Sequence, residues 1–298
     1  MIFLGPVKIH ARQDMTMRTN RLLLCTDMDR TIIPNGRQPE HPNALQRFKD
    51  FCSLPAIELV YVTGRHLELV KQAITDYDLP HPEYAITDVG TKIYHRVGNN
   101  WQQMHTWQDE IALNWNNKSH KQLQESLKNI SFLSLQEQDK QSNFKLSYYL
   151  PVTVDHETIL VQVEQQLTQL GVNPSLIYSI DEPNQIALLD ILPQNATKLH
   201  AIQFLQQHLG CGMDDTLFAG DSGNDLPVLG SSICSILIAN AEPEIKREAK
   251  KLAAINGNNA SLYIAKNENS PLGGNYSAGV LQGVLFFIPE LRNELALL

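Results

Sequence analysis

The 298-residue chain contains no run of about 18 consecutive apolar residues, so no membrane-spanning helix is expected. It has only four cysteines, and Cys25, Cys52, Cys211 and Cys234 form no C-x-x-C pair. That spacing excludes a zinc knuckle and a dithiol redox motif. Few, scattered cysteines suit a reducing cytosol, each as a small buried apolar side chain. Positive charge is not in excess either: 24 Lys and Arg face 32 Asp and Glu, for a net charge of -8. This argues against a nucleic-acid or membrane-surface partner. It does not exclude a phosphorylated small molecule, since a local metal and a few cations override a negative total. At the start, Met1-Ile2-Phe3-Leu4 is cut by Gly5, Pro6 and Lys8, too short for a signal-peptide core. Residues 1–20 are expected to be an N-terminal extension. Repeats and low-complexity tracts are also missing. These absences leave a cytoplasmic globular protein, with a monomer as the default expectation and enough chain for two domains.

What is present is an alternation of strand and helix signals. Leu22-Leu23-Leu24-Cys25-Thr26 is a short apolar run of strand length that stops at Asp27-Met28-Asp29-Arg30-Thr31. Ile57–Val62 and Tyr84–Thr87 read as further buried strands. Between them a helix is striped by Val70, Ala73, Ile74 and Tyr77. This is the βαβ texture of a parallel sheet. From Trp101 to Trp115 the texture changes. In residues 143–150, Phe144, Leu146, Tyr148 and Leu150 alternate with Lys145, Ser147 and Tyr149, which predicts an antiparallel strand with one open polar face. A helix striped by Leu160, Val163, Leu167 and Leu170 follows. Residues 186–192 read as the lead back into parallel texture, with a helix from Lys198, strands at 216–220 and 235–239, and helices near 242–254 and 277–288. The expected organisation is a core of residues 21–107 and 191–298 with an inserted α+β module at 108–190.

Four features fall at strand ends or a helix start: the Asp27/Asp29 pair, Thr63-Gly64-Arg65, Lys198, and Gly220-Asp221-Ser222-Gly223-Asn224-Asp225. In an open parallel sheet, the loops after successive strands converge on one crevice. Two carboxylates spaced i, i+2 repel unless a cation or shared proton relieves them. Together the four features form a phosphoryl-transfer set, with a carboxylate to attack phosphorus, acids for a hard cation, and hydroxyl and ammonium donors for phosphoryl oxygens. Oxygen-only ligands favour Mg²⁺.

With these residues in this order, the chain resembles the haloacid-dehalogenase-like (HAD) hydrolase superfamily. Asp27 to Thr31 looks like its first motif, Thr63 its second, Lys198 its third and Gly220 to Asp225 its fourth. The insert is similar to its type C2 cap. Asp88-Val89-Gly90-Thr91-Lys92-Ile93-Tyr94 and Asp190-Ile191-Leu192-Pro193-Gln194 resemble the sucrose-phosphate phosphatase group. Two departures are Lys92, at a position where an acidic residue is expected, and Asn195-Ala196-Thr197 ahead of Lys198. The resemblance implies an α/β fold, a Rossmann-like parallel-sheet core with an inserted smaller cap domain. It implies that Asp27 attacks phosphorus, Asp29 is the acid and base, and Thr63 and Lys198 hold phosphoryl oxygens. Mg²⁺ would sit on Asp27, the Asp29 carbonyl and Asp221, with Asp225 and Asn224 supporting that loop or binding through water. Gly64 and Arg65 belong to the expected substrate site, and the cap would contribute Lys145 first and Tyr149 second.

The activity implied is Mg²⁺-dependent hydrolysis of a sugar phosphate, a disaccharide phosphate such as sucrose 6-phosphate. Alternatives are phosphates of mannosylfructose, glycosylglycerol or glycosylglycerate, a phosphosugar mutase, and a non-enzymatic phosphoacceptor resembling a receiver domain.

Overall fold

In the computed structural model, which describes residues 21–181, 184–268 and 273–292, two sheets carry the chain. The expected extension, residues 1–20, lies outside the described residues. The first strand, β1 (Leu22–Thr26), is buried at every position, as a continuous apolar run must be when layers cover both faces. Then come α1 (Ala44–Cys52), β2 (Ile57–Val62), α2 (Leu67–Asp76) and β3 (Tyr84–Thr87). The buried stripe of α2 is Val70, Ala73 and Ile74. β4 (Lys92–Val97) and β5 (Asn100–Gln103) run antiparallel at the edge, and α3 (His105–Ala112) leads away.

The next segment builds a separate sheet from α4 (His120–Leu127), β6 (Ser134–Leu135), β7 (Leu146–Pro151), α5 (His156–Gln169), β8 (Pro174–Asp181) and β9 (Ile186–Pro193). The chain then returns through α6 (Lys198–Leu209), β10 (Thr216–Gly220), α7 (Leu226–Leu229), β11 (Cys234–Leu237), α8 (Pro243–Ile255), β12 (Leu262–Ile264) and α9 (Tyr276–Phe287).

The main sheet has the order β12-β11-β10-β1-β2-β3-β4-β5, parallel from β12 to β3. Its chain path leaves β1 toward β2 on one side and reaches β10 on the other, so the order reverses at β1. Such a reversal opens a crevice beyond the carboxyl ends of the strands. Two apolar clusters cover the two faces of this sheet, and a third sits against the second sheet. Trp107 and Ile111 belong to the main sheet's core, while Trp115 belongs to the second. The crossing between them falls within one helical turn.

Three local readings change. β7 begins at Leu146, and Ser147 is buried rather than on an open face. Its Oγ donates to Asp190 Oδ1 at 2.5 Å, and Gln141 lies over the strand, its Nε2 donating to the Ser147 carbonyl at 2.9 Å. The stripe of α5 is Ile159, Val163 and Leu167, one residue earlier than Leu160 suggested. Finally, residues 186–192 do not return to the parallel core. They pair antiparallel with β7 and β8, and their buried residues alternate, Ala187, Leu189 and Ile191. Apolar Ile186 and Leu188 on the other face made a half-covered strand look continuous. β9 also runs to Pro193, past residue 190. In α9, Gly283 lets the helix lie close to β11, because a Cβ there would collide with Ile236.

Candidate active site

Asp27 is the first residue beyond β1, buried at 6% exposure, with its N–H donating to the Ala219 carbonyl of β10 at 2.8 Å. Lys198 opens α6, whose cap is the Thr197 side chain accepting from the His200 N–H. The Lys198 Nζ spans two carboxylates, 2.9 Å from Asp27 Oδ1 and 2.7 Å from Asp225 Oδ1. The other Asp225 oxygen accepts from the main-chain N–H groups of Asp221 and Ser222 and from the Ser222 hydroxyl, each at 3.0 Å. Asp225 is thereby saturated. Asp221 accepts from the Thr31 hydroxyl at 3.2 Å and lies 3.4 Å from Arg30 Nε. Oxygens of Asp27, Asp221 and Asp225 come within 4.8 Å of one another, a cluster with the spacing for one cation.

Three buried acids share one buried ammonium, and their titration reflects it. Burial pushes Asp27 up to about 7 against the opposing pull of Lys198, with Asp225 adding to the rise. Asp221 rises to about 6, through burial first and then the charge of Asp225. Burial by itself would lower Lys198, but Asp225 and Asp27 outweigh it and hold the ammonium above its ordinary value. A surplus of hard, negatively charged oxygen in a dry pocket is the donor set that Mg²⁺ fits.

The Asp29 carboxylate does not enter this cluster. Arg65 holds it bidentately, Nε to Oδ2 and NH2 to Oδ1, each at 2.7 Å, and Asn35 Nδ2 donates to Oδ1 at 2.7 Å. Partial burial raises Asp29, but these donors win and keep it below the usual carboxylate range. Only its main chain is left for a metal.

The loop after β3 seats both Thr63 and Lys198. Asp88, Val89 and Gly90 have φ of 51°, 61° and 101°, and the first two are not glycines. A β-branched residue in the left-handed region is held there only by its surroundings. Here the Asp88 and Val89 N–H groups donate to the Arg65 and Thr63 carbonyls at 3.0 and 3.2 Å. Trp107 Nε1 donates to the Gly90 carbonyl at 3.0 Å. A Cβ on Gly90 would stand 2.6 Å from the Thr197 carbonyl carbon, directly behind Lys198.

Residues 20–288 match the family model of sucrose-6F-phosphate phosphohydrolase. The chain belongs to that family. A Nitrosococcus oceani protein described as a HAD-like hydrolase is 45% identical over 272 residues, 91% of this chain and 73% of its own. The mannosylfructose-phosphate phosphatase of Agrobacterium fabrum is 27% identical over 231 residues, covering 75% of this chain and 85% of that one. Among solved structures, the sucrose-phosphatase of Synechocystis, in complex with sucrose and phosphate, aligns with a TM-score of 0.67 at 26% identity, over 90% of this chain and 98% of that one. The chain is therefore a HAD-type phosphatase.

Within this phosphohydrolase, Asp27, Lys198, Asp221 and Asp225 gather at the end of β1, Thr63 is the first residue beyond the neighbouring β2, and Asp29 and Arg65 face each other. Thr63 is buried, its hydroxyl accepting from the Arg65 N–H at 3.2 Å. Gly64 and Asn224 are exposed, and Asn224 Oδ1 accepts from the Ser222 hydroxyl at 2.8 Å. Lys145 pairs with Asp190 at 3.3 Å, and the Tyr149 hydroxyl donates to Glu137 at 2.8 Å. Both partners belong to the second sheet's segment.

Two residues of the site, Asn35 and Asn240, belong to none of the four motifs. Arg30, with φ of 58°, is clamped by Asn35 Oδ1 on its N–H and Asn240 Nδ2 on its carbonyl, at 2.9 and 2.7 Å. An Asn35-Gly36 pair marks a turn but not a contact with Arg30, and a lone Asn240 gives no signal at all. The segment that follows is tied down: Gln38 and Pro39 carbonyls accept from the Tyr276 hydroxyl and Asn275 Nδ2. No described helix is long and apolar enough to cross a membrane.

Proposed function

We propose that this chain hydrolyses a glycosyl phosphate through an aspartyl-phosphate on Asp27, with a disaccharide phosphate such as sucrose 6-phosphate as the first substrate to test. The observation that carries the reading is the buried Lys198 bridge to Asp27 and Asp225 at the reversal point of the sheet. It fixes one Asp27 oxygen and leaves the other for phosphorus. The names of the matched family and of the Agrobacterium relative both specify disaccharide phosphates, which supports that substrate size.

In this reading the free Asp27 oxygen attacks phosphorus as the bond to the sugar oxygen breaks, and Asp29 gives that oxygen its proton. Asp29 then takes a proton from water, whose oxygen attacks the aspartyl-phosphate and releases inorganic phosphate. Thr63 and Lys198 donate to the phosphoryl oxygens throughout. The Arg65 clamp suits Asp29 to the second step, where it must be ionised. For the first step the carboxylate has to leave Arg65, and an arriving dianionic phosphoryl group competes for the same guanidinium. Mg²⁺ would be held by Asp27, Asp221 and the Asp29 carbonyl, with the saturated Asp225 shaping the loop. Bound there, it neutralises charge on the acid cluster and on the phosphoryl oxygens.

Incubation with sucrose 6-phosphate and Mg²⁺ should release inorganic phosphate, and EDTA should stop it. Isomerised sugar phosphate without free phosphate would replace hydrolysis by a mutase reaction, and turnover surviving EDTA would remove the metal from the site.

A further inference from the structure

Between the β4–β5 edge and the second sheet's segment lies a cavity of about 670 Å³. Lys92 and Gln103 line it from the main sheet, and Lys118, His120, Lys121 and Ser142 from the opposite side. No Asp or Glu is among its lining residues, although the chain as a whole carries a charge of -8. Lys92 lies 3.4 Å from Asp88, whereas Lys118 and Lys121 have no carboxylate within 4 Å among the described residues. The first turn of α4 also faces this space; Ser119 and Gln122 cap it reciprocally, and the helix start adds a partial positive charge. Two lining residues hold buried polar atoms without a hydrogen-bond partner, Gln103 Nε2 and Ser142 Oγ. Buried groups of this kind are normally satisfied.

We propose that this cavity binds a second anionic group of the substrate, a carboxylate or a phosphate, distinct from the phosphoryl group cleaved at Asp27. The proposal rests on the phosphatase reading of the Asp27 centre. A neutral sugar hydroxyl can satisfy the Gln103 amide, but it leaves the ammonium groups to water. An anionic oxygen satisfies both.

The cavity and the centre lie at the same end of the sheet, beyond the carboxyl ends of its parallel strands. Lys92 is the first residue of β4, paired with Thr87 at the end of β3, and the intervening loop touches Thr63 and backs Lys198. From β1 to β4 there are three strand spacings, about 14 Å. That separation suits a substrate of two units, phosphorylated on one and acidic on the other. It also gives a chemical sense to Lys92 at a position where this group was expected to carry an acid.

The test compares three substrates by phosphate release: sucrose 6-phosphate, a disaccharide 6-phosphate whose second sugar is a glucuronate, and sucrose 6,6′-bisphosphate. The last two distinguish a carboxylate from a phosphate as the natural anion. We expect an acidic second unit to lower KM about tenfold relative to sucrose 6-phosphate, and Lys118→Gln with Lys121→Gln to erase that ratio. Equal KM values, or a ratio unchanged by the two substitutions, overturn the proposal. Hydrolysis of p-nitrophenyl phosphate, which has no second unit, reports on the Asp27 centre separately. Should that centre prove inactive, calorimetric titration of Asp27→Asn protein with the same three compounds still decides the question. A tenfold preference for the acidic compounds supports the subsite, and none rejects it.

Discussion

In the Asp27 centre, the Lys198 side chain is 2% exposed and spans two carboxylates. Around the lysine-lined cavity, Lys118 is half-buried, Lys121 is exposed, and no described carboxylate answers either. The two regions sit at the same end of the sheet and obey different constraints. In the centre, Asp27, Asp221, Asp225 and Lys198 are all dry, so changing one leaves another stranded. Beside the cavity, water can solvate an unmatched ammonium, so a residue there can change without stranding a neighbour. Burial over-determines the cluster around Lys198 and leaves the lysines beside the cavity free of that constraint.

The strongest test of that contrast is Asp27→Asn. The amide keeps the shape of the site but cannot form the aspartyl-phosphate, so turnover should fall by roughly 10⁴-fold or more while the fold survives. Phosphate release, with circular dichroism as the control for folding, checks it. Residual activity within about tenfold of the parent would take the nucleophile away from Asp27.

Next in size is Lys198→Met. It leaves two buried carboxylates without their ammonium, and removing one member of a buried pair costs about 3–5 kcal/mol. Urea unfolding should show a loss of that order, besides lost activity. The equivalent change beside the second sheet, Lys145→Met, breaks a partly exposed pair with Asp190, whose side chain is 23% exposed. It should cost no more than about 1 kcal/mol. Similar losses for both would erase the distinction between the regions.

Gly90→Ala should follow, at about 2–3 kcal/mol, since φ of 101° is strained for alanine and its Cβ would meet the Thr197 carbonyl group. Because that backbone carries Lys198, kcat should fall with stability. A shift in stability alone would mean that the loop does not set the position of Lys198.

The same contrast explains what could be read from the chain. Asp27, Thr63 and Asp221 stand at the ends of buried strands, where an apolar run stopping at a polar residue marks the site even in one sequence. Lys198 was findable because a helix start is a recognisable place. β9 was misread because Ile186 and Leu188 disguised its alternation, and the covering of Ser147 by Gln141 depends on tertiary packing that no local pattern encodes. The Arg65–Asp29 clamp joins residues 36 apart, a pairing that no local spacing announces. Nothing in Lys118 or Lys121 announced a cavity, since an exposed lysine near a helix start is ordinary until a second surface is brought opposite it.

The smallest effect concerns the cation and pH. Without it, Asp27 and Asp221 bind protons more tightly in the folded chain, at about 7 and about 6, than at the ordinary 3.8. A raised folded value contributes stability that is complete below the ordinary value and is lost as pH rises through the folded one. Protein in EDTA should therefore gain from these two groups between pH 8 and pH 5.5. Mg²⁺ needs both carboxylates ionised, so protons compete with it across the same interval. The Tm increase on adding Mg²⁺ should be a few degrees larger at pH 8 than at pH 5.5, and Asp221→Asn should shrink it at both. An increase equal at the two pH values would mean that the ion does not sit on these acids. A cation on the exposed carboxylates elsewhere would behave that way, since groups already ionised at pH 5.5 lose nothing to protons.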